Sequence, residues 1–401
     1  MATEYPSGPA IPLAGWADRH IAAFADATGS PSLQGLSGAG LVGERAMLGG
    51  FRIPGAVSAG GGCRLFAARD GWVALNLARQ DDRALLPALF RDDALDGEAI
   101  ARRIAESKSL PLVARGREMG LAIAAMDEPS IREPSSVRVE RSRDTPRKGS
   151  STSLEAKGSA RRPLIVDLSA LWAGPLAAHL LWLAGGEVVK MESVTRPDSM
   201  RGGDPALFAL LNQGKASVAL DMRDDEDRRR LIALLARADI VIEAARPRAL
   251  LQLGIDADEI VRVNPSLVWM TITGHGAEGD AANWVGFGDD CGVAGGLSAA
   301  LREASGTVGF VGDAIADPLT GIVAARLAWE RWSSGAGARI ILSMSAVVAS
   351  AIKAERARDG GAFESALKSW AEAQGAPFPA VPRRTASPAR PFGADTVQWL
   401  C

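Results

Sequence analysis

Apolar and polar positions alternate along the middle of the chain in two rhythms. Short apolar runs typical of buried strands occupy residues 164–167, 187–192, 217–220, 240–242 and 267–273. Longer helical patterns lie between them at 175–184, which begins with a Gly-Pro pair, and at 224–238, which begins with acidic residues. Strands that alternate with helices of this length predict βαβ units. We therefore expect an α/β fold with a doubly wound, mainly parallel sheet in a Rossmann-like large domain.

The first 128 residues have a different pattern. Residues 63–67 and 72–77 predict two strands, and Arg69-Asp70-Gly71 lies between them. Asp-Gly between two such runs is a strong hairpin signal. Helical patterns follow at 83–90 and 97–106. This part of the chain therefore predicts a smaller α+β domain.

Two polar stretches divide the chain. Residues 129–162 are rich in Ser, Pro, Arg and Lys and have almost no apolar periodicity, which predicts a linker. Residues 374–392 carry five prolines among small and basic residues, which predicts a semi-extended connector. The expected division is a small domain at 1–128, a linker at 129–162, a large domain at 163–373, and a Pro-rich connector with a tail at 374–401.

Composition and charge argue against several classes of protein. The 45 basic residues nearly balance the 47 acidic ones, so a nucleic-acid or anionic-membrane partner is not expected. Cys63, Cys291 and Cys401 are too few and too scattered for a disulfide framework or a zinc site. The first residues lack a basic stretch followed by an apolar core, and no run approaches the roughly eighteen apolar residues of a membrane helix. We expect a cytoplasmic protein without a bound metal.

One glycine motif follows a strand-like run. Residues 274–279 match G-x-G-x-x-G, which in dinucleotide-binding proteins lets a pyrophosphate approach a helix N-terminus. The residues that follow, 280–296, are rich in glycine and do not predict an opening helix. A nicotinamide or flavin site is therefore not favoured here.

Asp317 carries the candidate chemistry. It precedes Pro318 at the start of a helical pattern that runs to about Trp332, and Asp and Pro are both favoured at helix starts. A capping role alone would explain it. A carboxylate at a helix N-terminus is also kept ionised by the dipole, and an ionised carboxylate can attack a thioester. Capping and nucleophilic attack do not exclude each other.

An ordered series of motifs resembles the family III CoA-transferases, also called CaiB/BaiF proteins. The matching pieces are Val166-Asp167-Leu168-Ser169, Ala173-Gly174-Pro175, Gly185-Gly186-Glu187-Val188-Val189-Lys190-Met191-Glu192, Asn212-Gln213-Gly214-Lys215, Ala238-Asp239, Leu253-Gly254 and Asp317 with Leu319-Thr320-Gly321. Each piece is weak alone, but their order is specific. The resemblance covers about 163–350.

The resemblance implies an activity and its nucleophile. Asp317 stands where the family has its catalytic aspartate, so the implied reaction moves CoA from an acyl-CoA to a free carboxylic acid through an aspartyl-CoA thioester. Coenzyme A is then a substrate, and no tightly bound cofactor is expected. Family members are typically dimers, so a homodimer is expected.

The resemblance also implies where CoA and the developing oxyanions bind. The residues expected along CoA are Leu171, Trp172, Ala173, Leu220, Arg223, Arg246 and Leu253. Trp172 is expected to stack on adenine or simply to pack in the core. The candidate oxyanion donors belong to glycine-rich loops at Gly60, Gly61 and Gly62 and at Gly295, although the first loop could also be a connection without a role.

The order of the segments differs from that of the family. A glycine-rich loop that the family places after the large domain corresponds here to Gly60–Gly62, near the beginning, and residues 391–396 resemble the family's closing segment. We therefore expect a permuted chain whose tail returns to the large domain.

Two other functions remain open at this stage. Related 2-methylacyl-CoA racemases use a histidine at the place of Phe287, and phenylalanine cannot carry a proton. The family's Asn-Phe in the CoA pocket is replaced by Ala244-Ala245, so a non-catalytic homologue that acts as a binding protein is the other alternative.

Overall fold

The structure is a computed structural model that describes residues 8–92, 96–128, 137–140, 161–245 and 247–400. The strands in this part of the chain are β1 (Cys63–Ala68), β2 (Gly71–Asn76), β3 (Ala122–Ala125), β4 (Val137–Glu140), β5 (Leu164–Asp167), β6 (Glu187–Ser193), β7 (Ala216–Leu220), β8 (Ile240–Glu243), β9 (Val268–Thr273) and β10 (Ala338–Ser343).

The α-helices fall into an N-terminal and a C-terminal group. The first group is α1 (Ala14–Thr28), α2 (Pro31–Gln34), α3 (Gly38–Leu48), α4 (Leu86–Phe90), α5 (Gly97–Glu106) and α6 (Ser109–Glu118). The second is α7 (Ala173–Leu183), α8 (Met200–Gly203), α9 (Pro205–Asn212), α10 (Asp225–Arg237), α11 (Pro247–Gln252), α12 (Ala257–Val263), α13 (Gly288–Ala294), α14 (Leu297–Ser305), α15 (Ala316–Ser333), α16 (Met344–Glu372) and α17 (Thr396–Leu400).

The larger sheet has seven strands in the order β4-β10-β9-β8-β5-β6-β7. Six of them are parallel, and β4 pairs antiparallel with β10 at one edge. The parallel strands, counted in chain order, lie in the doubly wound order 3-2-1-4-5-6, which places a topological switch point between β5 and β8. The predicted fold class is confirmed, because the buried strands from β5 to β9 occur where the apolar runs are.

The smaller sheet is antiparallel in the order β1-β2-β3. Ala68 pairs with Gly71 across a two-residue turn, so the predicted hairpin is confirmed. One face of this sheet packs against α5 and α6 in a core that includes Val73, Ile100 and Ile123. The other face meets Val293 of α13. The small sheet therefore lies directly against the larger unit at α13.

The N-terminal helices pack with the larger sheet's helices rather than with the hairpin. Ala17 and Phe24 of α1 and Leu41 of α3 share one hydrophobic core with Leu176 of α7 and Ile322 of α15. The domain boundary at residue 128 stays a prediction, but the segment from about residue 11 to 53 contributes to the core of the large domain. The two predicted domains are therefore connected by a shared hydrophobic core as well as by the linker.

Two further segments add to the edges of the larger sheet. β4 lies inside the stretch predicted as a linker, where sequence composition gave no strand signal. At the opposite edge, the Asp395 carboxylate accepts a hydrogen bond from the backbone N–H of Ser217 at 2.9 Å, and Thr396 accepts one from Ala219 at 3.0 Å. The C-terminal tail thus lies along β7. Across the described ranges, no helix is at once long and apolar enough to span a bilayer.

Candidate active site

A cavity of about 220 Å³ opens at the carboxyl ends of the parallel strands. Its wall comes from loops after β5, β8 and β9, from the segment 282–287, and from the first residues of α15 and α16. The lining residues are Ala170, Leu171, Ala173, Gly174, Ala244, Ala245, Ile272, Thr273, Gly274, Gly276, Ala282, Trp284, Val285, Gly286, Phe287, Asp317 and Met344. Doubly wound sheets bind ligands in this crevice, next to the switch point. Asp317 is the one ionisable side chain among these lining residues, all of which the structure describes.

Buried ion pairs hold the loop after β5. Lys215 Nζ lies 2.8 Å from Asp167 Oδ2, and Lys190 Nζ donates to the carbonyl oxygen of Ser169 at 2.9 Å. Lys190 also pairs with Asp198 at 3.0 Å, and Asp198 accepts the backbone N–H of Leu171 at 3.2 Å. Leu171 has a φ of 68°, a left-handed conformation that surrounding structure must stabilise in a residue with a Cβ. The network supplies that support and fixes the cavity wall.

Asp317 is the second residue of α15 and does not cap it, because the N-cap position falls on Ile315 and no side chain caps this helix. Glycine at position 288 makes room for the aspartate, since a Cβ there would overlap Asp317 Oδ2 and the carbonyl oxygen of Ala314. The backbone N–H of Ala173, the first residue of α7, interacts with the Asp317 carboxylate and favours its ionised form. The carboxylate thus lies at the beginning of two helices.

Burial nevertheless raises the pKa of Asp317 to about 7. Arg45 opposes this rise, while the negative charges of Asp289 and Asp290 add to it. The expectation that the helix dipole keeps this carboxylate fully ionised at neutral pH is therefore wrong. Desolvation outweighs the dipole, and the group titrates near neutrality.

Arg45 connects α3 to the acidic residues around Asp317. Its guanidinium donates to both carboxylate oxygens of Asp313, at 2.8 and 2.5 Å, and lies 5.1 Å from the centre of the Trp172 ring. Asp289 accepts the backbone N–H of Ala314 at 3.0 Å. Burial, with the neighbouring Asp313, raises the pKa of Asp289 to about 6. The site therefore contains a set of coupled carboxylates with one arginine among them.

The structure brings only some of the expected CoA residues to the cavity. Leu171 and Ala173 line it with Asp317. Trp172 is 3% exposed and faces Arg45, so a stacking role on adenine would require its ring to become accessible. Leu220 and Leu253 pack in a second core on the other side of the sheet. Arg223 is exposed and pairs with Asp221, and Arg246 lies outside the described residues.

The candidate oxyanion loops lie in different surroundings. Gly60, Gly61 and Gly62 are exposed and do not line the cavity, but a Cβ on Gly60 would come 3.1 Å from Arg45 Nη2. Gly295 is buried against Val348 of α16, and its N–H donates to the carbonyl oxygen of Cys291 within α13. The first loop is therefore a neighbour of the site through Arg45, and Gly295 is a packing position.

Sequence reasoning missed Arg45. Arg45 lies far from Asp317 along the chain, on a short helix that no motif marked, so only the packing of α3 against the large domain shows its role. Asp289 lies within the glycine-rich stretch 280–296, where the pattern does not predict a helix, and the structure places it on α13. Asp313, four residues before Asp317, does not line the cavity, and its carboxylate is fully buried on Arg45.

One group of side chains has the composition of a metal site. His275, Asp290 and Cys291 are buried, with ligand atoms within 4.8 Å of one another. Asp290 already accepts hydrogen bonds from Asn76 at 2.9 Å and from the backbone of Phe287 at 3.0 Å. Burial and the Asp290 charge raise the pKa of the Cys291 thiol well above its usual range, which opposes the thiolate that a metal requires. The arrangement fits a hydrogen-bonded core.

Comparisons of the sequence with a family profile and with known proteins point to the same family. The sequence profile of CoA-transferase family III matches residues 164–373. The chain is 29% identical over 206 residues to an acetyl-CoA:oxalate CoA-transferase of Acetobacter aceti, covering 48% of this chain and 52% of that protein. It is 30% identical over 175 residues to a succinyl-CoA–D-citramalate CoA-transferase of Chloroflexus aurantiacus, covering 41% and 44%.

The chain spans about half the length of the curated relatives that it matches. Among solved structures, it is similar to a CAIB/BAIF family protein from Brucella suis, with 25% sequence identity and a TM-score of 0.41. That likeness covers 49% of this chain and 57% of the other. The match to the family profile, residues 164–373, contains β5 to β10, the cavity and Asp317, and it leaves out Arg45 and the hairpin.

Proposed function

Because this chain belongs to CoA-transferase family III, we propose that it moves CoA from an acyl-CoA donor to a free carboxylic acid, with Asp317 as nucleophile. One observation carries the assignment. Asp317 is the only ionisable side chain on the wall of the switch-point cavity, within the part of the chain that the structure describes. A carboxylate with a pKa of about 7 is substantially ionised at neutral pH, and an ionised carboxylate is the form that attacks a thioester.

The proposed reaction needs no proton transfer and no redox step. The Asp317 carboxylate attacks the thioester carbonyl, a C–O bond forms, the C–S bond breaks, and CoA leaves as a thiolate. The thiolate then attacks the Asp317 carbonyl of the mixed anhydride and releases the donor acid, which leaves an aspartyl-CoA thioester. The acceptor carboxylate repeats these two exchanges in reverse, so Asp317 is regenerated and a new acyl-CoA departs.

Each group around Asp317 has a place in this proposal. Glycine at position 288 leaves space for the carboxylate, and Ala173 N–H stabilises its charge. Leu171 and Ala173 would lie along the CoA arm, because they form the wall at the end of β5. The loop Gly60–Gly62 remains our candidate for oxyanion donors, supported by its position beside Arg45.

We also propose the remaining features that the sequence predicts. CoA acts as a substrate and not as a permanently bound cofactor, the protein is a homodimer, and it works in the cytoplasm. Family membership supports the first of these. The other two rest on the sequence analysis alone, and size-exclusion chromatography with light scattering would test the dimer.

Covalent trapping tests the nucleophile. Incubation with acyl-CoA, then hydroxylamine or borohydride and peptide mass mapping, is expected to place the modification on Asp317. Asp317→Asn should abolish both labelling and transfer, while the control Asp26→Asn, an exposed position on α1, should retain both. A label on Asp289 or Asp313, or full activity of Asp317→Asn, would contradict the assignment.

A further inference from the structure

The charge around the cavity is negative. Asp317 lines the cavity, the negative charges of Asp289 and Asp290 are close enough to raise its pKa, and Arg45 is the nearby cation that opposes them. Arg45 is already bound through two hydrogen bonds to Asp313. Among the residues that the structure describes at this end of the cavity, a second anionic group on a substrate would therefore meet carboxylates and an arginine that is already paired.

Arg117, another cation near the cavity in the described part of the chain, is also paired. The Arg117 guanidinium lies 4.2 Å from the centre of the Trp284 ring, behind the cavity wall. It donates to both oxygens of Glu128, at 3.0 and 2.8 Å, and it is 5% exposed. Trp284 separates this ion pair from the cavity, so Arg117 offers no recognition of an anion there.

The remaining wall is apolar and small. Apart from Thr273 and Asp317, the lining consists of larger apolar side chains, alanines and glycines. The volume of about 220 Å³ lies below the roughly 300–1,000 Å³ of pockets that enclose drug-sized ligands. The space accommodates a thioester and a short chain, and most of the CoA molecule must lie outside.

From this wall, resting on the transferase function proposed above, we propose that the cavity selects short, apolar monocarboxylic acids and their CoA thioesters and rejects dicarboxylic ones. The acyl chain lies against Ile272, Trp284 and Met344 while its carbonyl reaches Asp317. A terminal carboxylate in the same place would lose its water shell and face like charges, and both effects disfavour its binding.

The test uses two acyl groups of equal length. The full chain is incubated with butyryl-CoA and deuterated butyrate, or with succinyl-CoA and deuterated succinate, and the appearance of label in the acyl-CoA is followed by mass spectrometry. Each exchange is thermoneutral, so rates alone are compared. We expect kcat/KM for butyrate to exceed that for succinate by at least about tenfold. Decanoyl-CoA with decanoate should also be slower than butyrate, because the cavity is small.

A charge introduced into the wall supplies the matched control. Ala282→Arg, whose backbone lines the cavity, is expected to raise succinate exchange relative to butyrate, whereas Ala282→Leu adds bulk without charge and should not. Equal or faster exchange of succinate or decanoate in the unaltered protein would overturn the proposed selectivity. No exchange with any acid would instead count against the transferase function itself, so the two failures are distinguishable.

Discussion

The Asp317 carboxylate is subject to opposing influences from its immediate neighbours. Burial and two nearby aspartates favour its protonated form, and Arg45 and the Ala173 N–H favour the ionised form. The first set is stronger, which brings the pKa to about 7. The sequence pointed to this residue but predicted a carboxylate kept ionised by the helix dipole, because a short motif contains no information about burial.

We expect transfer activity to rise with pH up to about 7 and then to level off. Only the ionised Asp317 attacks, so kcat/KM should increase about tenfold per pH unit below the midpoint. The measurement is label exchange between an acyl-CoA and its acid across about pH 5.5–8.5, with circular dichroism to show that the protein stays folded. A flat profile would contradict the raised pKa.

The raised pKa of Asp317 also makes the folding stability depend on pH. The folded chain holds a proton on Asp317 at pH values where the unfolded chain has lost it, so ionisation costs stability as pH rises from the ordinary value of 3.8 towards about 7. Above that range the cost is constant. Asp317→Asn removes the ionisation, and it should therefore raise the denaturation midpoint at pH 8 while abolishing transfer.

Arg45 is a positioning residue, and two substitutions distinguish the effect of its charge from that of its size. Arg45→Lys keeps the positive charge, whereas Arg45→Met removes it, so only the Met variant should move the midpoint of the pH profile upward. The Met variant also leaves Asp313 buried without its partner, at a cost of about 3–5 kcal/mol in unfolding free energy. A midpoint shift that is equal in both variants would indicate a purely structural role.

Most strands of the larger sheet were predictable from the sequence, whereas the N-terminal helices that pack beside it were not. Strands β5 to β9 are rich in apolar residues because most of their side chains are buried, and that signal is visible in any single sequence. β10, in which Arg339 and Ser343 flank the apolar residues, was missed. The helices α1 and α3 were missed because their pattern does not show which core they join, and the site residue Arg45 was lost with them.

The loop after β5 is stabilised by two buried lysines, Lys190 and Lys215, which form ion pairs with buried aspartates. Lys215→Met would leave Asp167 buried beside Lys190 alone, and we expect a loss of about 3–5 kcal/mol in urea unfolding. Hydrogen exchange at Leu171–Ala173 should also become faster, since the network supports that loop. The matched control is Arg229→Ala, whose exposed pair with Glu226 should change stability by no more than about 1 kcal/mol. Equal effects of the two substitutions would show that the buried network is dispensable.

The whole molecule is held together by packing across the predicted domain boundary. α1 and α3 share the core of the larger sheet, and Cys63 and Leu65 of the small sheet lie in one hydrophobic cluster with Val293 of α13. Asn76 of β2 donates to Asp290 beside the cavity. An N-terminal segment outside the family match therefore completes the surroundings of Asp317.

This packing predicts the outcome of limited proteolysis. The composition of residues 129–162 makes this stretch the expected first site of tryptic cleavage, since it is polar and contains several arginines and lysines. The two fragments should nevertheless co-elute in size-exclusion chromatography and keep their transfer activity, because α1 and α3 remain in the core with α15. A double variant, Phe24→Ala with Leu41→Ala, should allow the cleaved fragments to separate, since each buried truncation costs about 2–5 kcal/mol. A protected linker with cleavage inside 216–273 would count against the predicted domain division. Separation of the unaltered fragments would show that the N-terminal helices do not hold the two parts together.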